Sequence, residues 1–179
     1  NPETSLQFFQ QLEIPVTAKI IDIGGGDSFL TDHLLDLGYQ DLSVLDVSET
    51  AIERAKQRLG ERAKDVKWIV SDVSDFQPTT SYDCWHDRAA FHFLTKDVEV
   101  EKYVQMASKA ITTGGKMIIG TFSEQGPKKC SGIDIRQYSE TTMTDLFSRY
   151  FQKITCITAD HKTPFDTTQN FVFCSFRKQ

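Results

Sequence analysis

Short apolar runs alternate with amphipathic stretches along most of the chain. The segments KIIDI (19–23), LSVLD (42–46), VKWIV (66–70), YDCWH (82–86) and KMIIGTF (116–122) have strand length, and most are rich in β-branched or aromatic residues. Between them, apolar positions recur at helical spacing. Phe29, Leu30, His33, Leu34 and Leu37 predict one helical face, stopped by Gly38; Ile52, Ala55 and Leu59 predict another, stopped by Gly60. Tyr103, Val104, Ala107 and Ile111 predict a third before TTGG. Strand then helix, repeated, implies right-handed crossovers and a parallel sheet covered on both faces. The C-terminal part breaks the rhythm: a helix at MTDLF precedes QKITCIT and NFVFCSF, whose connection ADHKTPFDTTQ is too short for a crossover helix. Those two strands are expected to pair antiparallel at one end of the sheet. The opening NPETSLQFF reads as a helix start, with Asn1 as cap and Pro2 in the first turn.

Composition narrows the classes. The chain has 179 residues, 39% hydrophobic and 25% charged, with no linker-like stretch or internal repeat, so one domain over residues 1–179 is expected. A formal net charge of -5 argues against a phosphate backbone as main partner, and no nucleic acid is expected. No apolar run approaches the roughly 18 residues of a membrane span, and the first residues lack the pattern of a signal peptide. The expectation is a cytoplasmic protein, monomer or weak dimer, with no membrane partner. Cys84, Cys130, Cys156 and Cys174 are widely spaced without a C-x-x-C, which predicts reduced thiols and no metal site.

The chemistry concentrates at the ends of the first strands. In an open parallel α/β sheet, ligands bind beyond the carboxyl ends of the strands, where the first strand-to-helix turn brings backbone close to them. Gly24, Gly25 and Gly26 occupy that turn, and glycine permits positive φ and removes the Cβ that would separate backbone from ligand. A G-x-G-x-x-G dinucleotide fingerprint from Gly24 requires glycine at position 29, where the chain has Phe29. Asp46 ends the second strand, where an acidic residue accepts from ribose hydroxyls, and Asp72 lies just past the third, where a carboxylate can accept from an adenine amino group. Together these residues point to a nucleoside-type ligand.

With these residues in view, the chain resembles a class I S-adenosylmethionine-dependent methyltransferase over nearly its whole length. DIGGGDS is similar to the family's glycine motif, with Ser28 where a third alternate glycine is common. The resemblance implies a Rossmann-like, mostly parallel seven-stranded sheet of order 3-2-1-4-5-7-6, strand 7 antiparallel, with helices on both faces. It also implies S-adenosylmethionine as cofactor and S-adenosylhomocysteine as product. Asp22 and Gly24 to Gly26 would face the methionine part, Asp46 and Val47 the ribose, and Asp72 and Val73 the adenine. Members usually carry an N-terminal lid over the cofactor, which this chain, opening at NPETSLQFF, is expected to lack.

The fourth strand is the most individual segment. DRAA is similar to the corresponding part of thiopurine and thiol methyltransferases, while WHDRAAFHFL resembles bacterial proteins related to protein lysine methyltransferases. Asp87, His86 and His92 are candidates for positioning the acceptor or taking its proton, with Asp87 also beside the cofactor; an Asp87–Arg88 ion pair holding the loop is the alternative. Arg88, Phe91, Arg136 and Tyr138 are candidate acceptor-pocket residues, the latter two in the long segment SEQGPKKCSGIDIRQYS. Lys128 and Lys129 beside Cys130 are expected to lower its pKa. Because methyl transfer from a sulfonium is an in-line displacement, alignment and exclusion of water carry much of the acceleration. The leading expectation is a methyltransferase acting on a small-molecule thiol, amine or similar nucleophile. A protein lysine acceptor, a nucleotide-dependent oxidoreductase and a noncatalytic cofactor-binding protein are the alternatives.

Overall fold

The computed structural model, which describes residues 2–162 and 168–179, turns each of the five apolar runs into a strand. The elements are α1 (Glu3–Gln11), β1 (Lys19–Ile23), α2 (Leu30–Asp36), β2 (Asp41–Asp46), α3 (Glu49–Leu59), β3 (Val66–Val70), β4 (Tyr82–Arg88), α4 (Asp97–Ala110), β5 (Ile111–Phe122), the short β6 (Lys129–Cys130) and β7 (Ile133–Asp134), α5 (Glu140–Phe147), β8 (Phe151–Lys162) and β9 (Thr168–Lys178). The main sheet runs β3-β2-β1-β4-β5-β9-β8. The first five strands pair in parallel, and β9 is antiparallel to both β5 and β8. With β8 and β9 as the sixth and seventh sheet strands, the order is the expected 3-2-1-4-5-7-6.

Period-two alternation divides the core into two layers. On β1, Ile20 faces a layer built with Phe8 and Phe9 of α1 and Leu30 and Leu34 of α2. Ile21 and Ile23 face a layer built with Tyr103 and Val104 of α4 and Met143 and Phe147 of α5. Gly38 and Gly60 follow α2 and α3 with φ of 86° and 59°, the left-handed conformations that end a helix.

Four local expectations change. Phe29 and Leu37 are 51% and 59% exposed, so the buried stripe of α2 narrows to Leu30 and Leu34. Ile111 leaves α4 in extended geometry and begins β5, which therefore takes in TTGG as well. β8 and β9 extend into the stretch expected as loop, pairing as far as Lys162 with Thr168; residues 163–167 of that connection lie outside the described residues, as does Asn1 and its expected capping role. Cys156 and Cys174 are not reduced thiols: antiparallel register places them directly opposite, with Cα atoms 4.1 Å apart, and they form a disulfide. Only Cys84 and Cys130 are free among the described residues.

Candidate cofactor and acceptor site

Each glycine at the end of β1 answers a different steric demand. Gly24 has φ of 70°, its N–H donates to the Leu45 carbonyl at 2.7 Å, and a Cβ there would lie 2.8 Å from the Cβ of Ala90. A Cβ on Gly25 would fall 2.3 Å from Asp22 Oδ2, and one on Gly26 2.8 Å from Asp46 Oδ2. Asp46 braces this turn: its Oδ2 accepts from Gly26 N at 2.9 Å and its Oδ1 from Ser48 N at 2.8 Å. Each of its oxygens retains capacity for a further donor. At the next strand tip, Asp72 Oδ1 accepts from Ser74 N and Ser74 Oγ.

Beneath the glycines lies a buried polar chain. Asp22 Oδ1 is 2.7 Å from His86 Nδ1, and His86 Nε2 is 2.8 Å from Ser5 Oγ on α1. A carboxylate only accepts, so Nδ1 carries the proton and, in the neutral imidazole, Nε2 accepts from the serine hydroxyl. Both ring nitrogens are therefore committed. Asp22 Oδ2 is buried and has no hydrogen-bond partner among the described residues.

Alternation along β4 decides the fate of its other residues. Cys84, His86 and Arg88 fall on the α1 side, while Trp85 and Asp87 fall on the α4 side. Asp87 is fully buried; its Oδ1 accepts from Ala90 N and Phe91 N, and its Oδ2 from the Tyr103 hydroxyl at 2.7 Å. The same hydroxyl accepts from Trp85 Nε1 at 2.9 Å. Burial pushes the Asp87 carboxyl up to about 6 despite these donors. The alternative, an Asp87–Arg88 ion pair, does not form, because neighbours on a strand point to opposite faces. Beyond Arg88 the chain turns sharply through Ala89, whose φ of 64° is strained for a residue with a Cβ.

Two cavities open beyond the strand tips. One, of about 500 Å³, is lined by Asp46, Val47, Asp72, Val73, Phe93 and Ile133 among others. The second, of about 310 Å³, takes in Asp22, His86, Arg88, Phe122, His161 and Phe171. Gly24 and Ala89 belong to both walls, so the cavities abut at the glycine turn. A larger polar groove of about 720 Å³, between the 73–81 segment and α4, meets the first cavity at Val73 and Ser74.

The structure thus brings together Asp22, Gly24, Asp46, Val47, Asp72, Val73, His86 and Arg88, with Gly25 and Gly26 shaping the turn behind them. It separates out the others. Asp87 lines neither cavity and clamps the loop after β4. Phe91 and Tyr138 pack with tilted rings 5.2 Å apart within the α4–α5 core layer, and burial pushes the Tyr138 hydroxyl up to about 12. Arg136 reaches away to pair with Asp97 at 2.6 Å. His92 is fully buried against Phe93 and Phe122 with neither ring nitrogen bonded, and burial holds its pKa down to about 4. Cys130 does line the second cavity, but burial raises its pKa, and Lys129 pairs with Asp134 instead. The histidine missed from sequence is His161, brought to the second cavity by the extended β8–β9 hairpin, where it pairs with Gln169 in register.

The comparisons agree with this geometry. Residues 20–115, more than half of the chain, match the family described as Methyltransferase domain. The eEF1A lysine and N-terminal methyltransferase of Mus musculus is 25% identical over 128 residues, covering 60% of this chain and 18% of that protein. The malonyl-[acyl-carrier protein] O-methyltransferase of Anoxybacillus flavithermus is 28% identical over 107 residues, covering 59% of this chain and 39% of that protein. The chain thus spans well under half the length of these relatives. Among solved structures, the N-methyltransferase NodS from Bradyrhizobium japonicum WM9 superposes with a TM-score of 0.76 at 19% identity, covering 99% of this chain and 97% of that one. It has also been solved in complex with S-adenosyl-L-homocysteine. Matched family, sheet order and glycine turn together place the chain in the methyltransferase domain family, the class I S-adenosylmethionine-dependent methyltransferases.

Proposed function

We propose that the adenosine of S-adenosylmethionine lies in the cavity lined by Asp46, Val47, Asp72 and Val73, that its methionine part crosses the Gly24–Ala89 wall toward Asp22, and that the acceptor enters the second cavity. The observation that carries this reading is Asp22 Oδ2, a buried carboxylate oxygen without a partner among the described residues, on a residue that lines the second cavity two positions before Gly24, which both cavities share. Such an oxygen costs free energy unless a donor reaches it, and the methionine ammonium is a donor of the right charge. The glycines keep this turn tight, since a Cβ on any of the three would collide with Ala90, Asp22 or Asp46. When bound, the cofactor supplies an electrophilic methyl on a sulfonium. The chain's own residues orient and enclose: Asp46 and Asp72 offer acceptors to the ribose and the base, and Phe122 and Phe171 give the otherwise polar acceptor side an apolar wall.

With His86 committed at both nitrogens and His92 in the core, neither is available as a base. His161 is held below its ordinary pKa by burial first and Arg88 second, so it is neutral near pH 7 and able to take a proton from an acceptor that carries one. The acceptor favoured here is a small molecule, with the eEF1A-directed relatives supporting a protein lysine as second reading. Calorimetric titration with S-adenosylhomocysteine and, separately, NAD tests the cofactor assignment: binding of the first alone is expected, and binding of NAD alone would sink it. Labelled S-adenosylmethionine, incubated with small acceptors and with cell lysate in parallel, tests the acceptor; label confined to a protein band would favour the lysine reading.

A further inference from the structure

We propose that β8 pairs antiparallel with β8 of a second copy of this chain, joining two seven-stranded sheets across a two-fold axis at Ile157. β8 is the outermost strand of the sheet, and among the described residues no other strand pairs with its outer edge. It is 12 residues long, where about five or six is usual, so a long row of backbone N–H and C=O groups is left open. Its central run ITCITA (154–159) holds no charge and no proline, is rich in β-branched residues, and exposes Ile154 and Ile157. Such a run on an open edge is a template for another strand.

Register and charge select a second copy as that strand. Pairing with β9 slips by one between Lys153 and Thr155, so Ile154 is an extra residue and alternation resets across it. Lys153, Cys156, Thr158 and Asp160 therefore share the α5 face, while Thr155, Ile157 and Ala159 share the α1 face. A two-fold axis perpendicular to the sheet sets residues of like face opposite each other. Centred on Ile157, it sets Ile157 against itself, Cys156 against Thr158 and Thr155 against Ala159. The extra residue then brings Lys153 opposite Asp160 of the second copy, and the symmetry repeats that pair at the other end. A centre at Thr158 would set Lys153 against Lys162, and a centre at Cys156 would set it against Thr158, so only Ile157 matches opposite charges. Within one chain Lys153 pairs with Glu140 at 2.7 Å and Asp160 Oδ1 accepts from Asn170 at 2.6 Å; both groups are exposed and keep capacity for a further partner. The next pair sets Gln152 of the second copy opposite His161, at about 4.5–5.5 Å between Cβ atoms, so the contact reaches a residue of the second cavity.

Sedimentation equilibrium from about 1 to 200 μM is expected to show a reversible monomer–dimer equilibrium. Lys153→Glu and Asp160→Lys should each weaken the dimer at least about tenfold, because each sets like charges opposite one another twice. The double variant should return to within about threefold of wild type, a rescue that a role confined to one chain, such as the Lys153–Glu140 pair, would not produce. Cross-linking checks the axis: Ile157→Cys, oxidised by copper phenanthroline with dissolved oxygen, should give a covalent dimer, since only the residue on the axis meets itself. Thr155→Cys, which faces Ala159, should give no more covalent dimer than wild type. Should a charge reversal unfold the chain, as judged by its thermal transition, the two cysteine variants decide. A monomer up to about 200 μM, a dimer indifferent to both reversals, a double variant no tighter than the single ones, or cross-linking at 155 in preference to 157 each overturns the proposal.

Discussion

Replacing Asp87 by asparagine separates a structural carboxylate from a catalytic one. In the folded protein the carboxyl titrates at about 6 against an ordinary value of 3.8, because burial outweighs the hydrogen bonds from Tyr103, Phe91 and Ala90. A raised folded pKa means that between these values the native state holds the proton more tightly than the unfolded chain. The contribution of Asp87 to stability therefore falls as pH rises from about 4 to about 6 and is flat above. The rise from 3.8 to about 6 corresponds to roughly 2–3 kcal/mol. Asparagine at position 87 has no such titration, while its side-chain oxygen can still accept from Ala90 N and Phe91 N. Its amide would donate to the Tyr103 oxygen, which already accepts from Trp85, so the Tyr103 proton loses its acceptor at a cost of about 1–3 kcal/mol. Urea unfolding of both proteins across about pH 4 to 7 reads the outcome as a difference curve: wild type minus Asp87→Asn should decline by roughly 2–3 kcal/mol over that range. Parallel curves would refute the linkage. A pH-independent stability difference combined with a large loss of S-adenosylhomocysteine affinity would restore a direct role at the cofactor.

Other perturbations address the remaining parts of the site. Asp46→Ala should weaken S-adenosylhomocysteine by about 1.5–3 kcal/mol, a charge-assisted hydrogen bond, and unchanged affinity by calorimetry would reject the ribose assignment. Ser5→Ala removes the donor to His86 Nε2 and leaves a buried acceptor unsatisfied; denaturation should show a loss of about 1–3 kcal/mol, and no change would mean water replaces the hydroxyl. Thiol titration of the unreduced, denatured chain should find the two free thiols Cys84 and Cys130, and four would show that Cys156 and Cys174 are open. Replacing either member of that pair should cost about 2–4 kcal/mol, the range for a disulfide closing a short loop.

The strands, the sheet order and the glycine turn were legible because they depend on local pattern. Apolar runs of strand length, helical stripes and a glycine cluster at the first crossover leave few topologies once handedness is fixed. Asp46 and Asp72 were legible for the same reason, since the end of a parallel strand fixes where its next side chain lies. What sequence left ambiguous was decided by long-range register. His161 stands 75 residues from His86 in the chain, and only the length of the β8–β9 pairing brings it to the second cavity. Cys156 and Cys174 meet through the same pairing.

The misplacement of Asp87 is different, because the means of avoiding it was in the sequence. Once YDCWHDR is taken as one strand, alternation alone sends Cys84, His86 and Arg88 to one face and Trp85 and Asp87 to the other. Asp22 and His86 are neighbours in register on β1 and β4, and their side chains meet on the first face. An ionisable residue on the opposite face must find its partners in the α4 layer, where Tyr103 supplies one at helical spacing from Val100 and Ala107. Fourth-strand residues of like chemistry thus take opposite tasks according to parity. His86 ties Asp22 to α1, Arg88 is left facing the cavity, and Asp87, between them in sequence, fastens the turn that presents Ala89 to the cofactor wall. Exchanging Asp87 and Arg88 would put a guanidinium against Trp85 and Tyr103 and a carboxylate into the cavity. The doubly exchanged protein should lose the clamp on the turn, seen as a lower urea midpoint, whereas a role set by composition alone would survive the exchange.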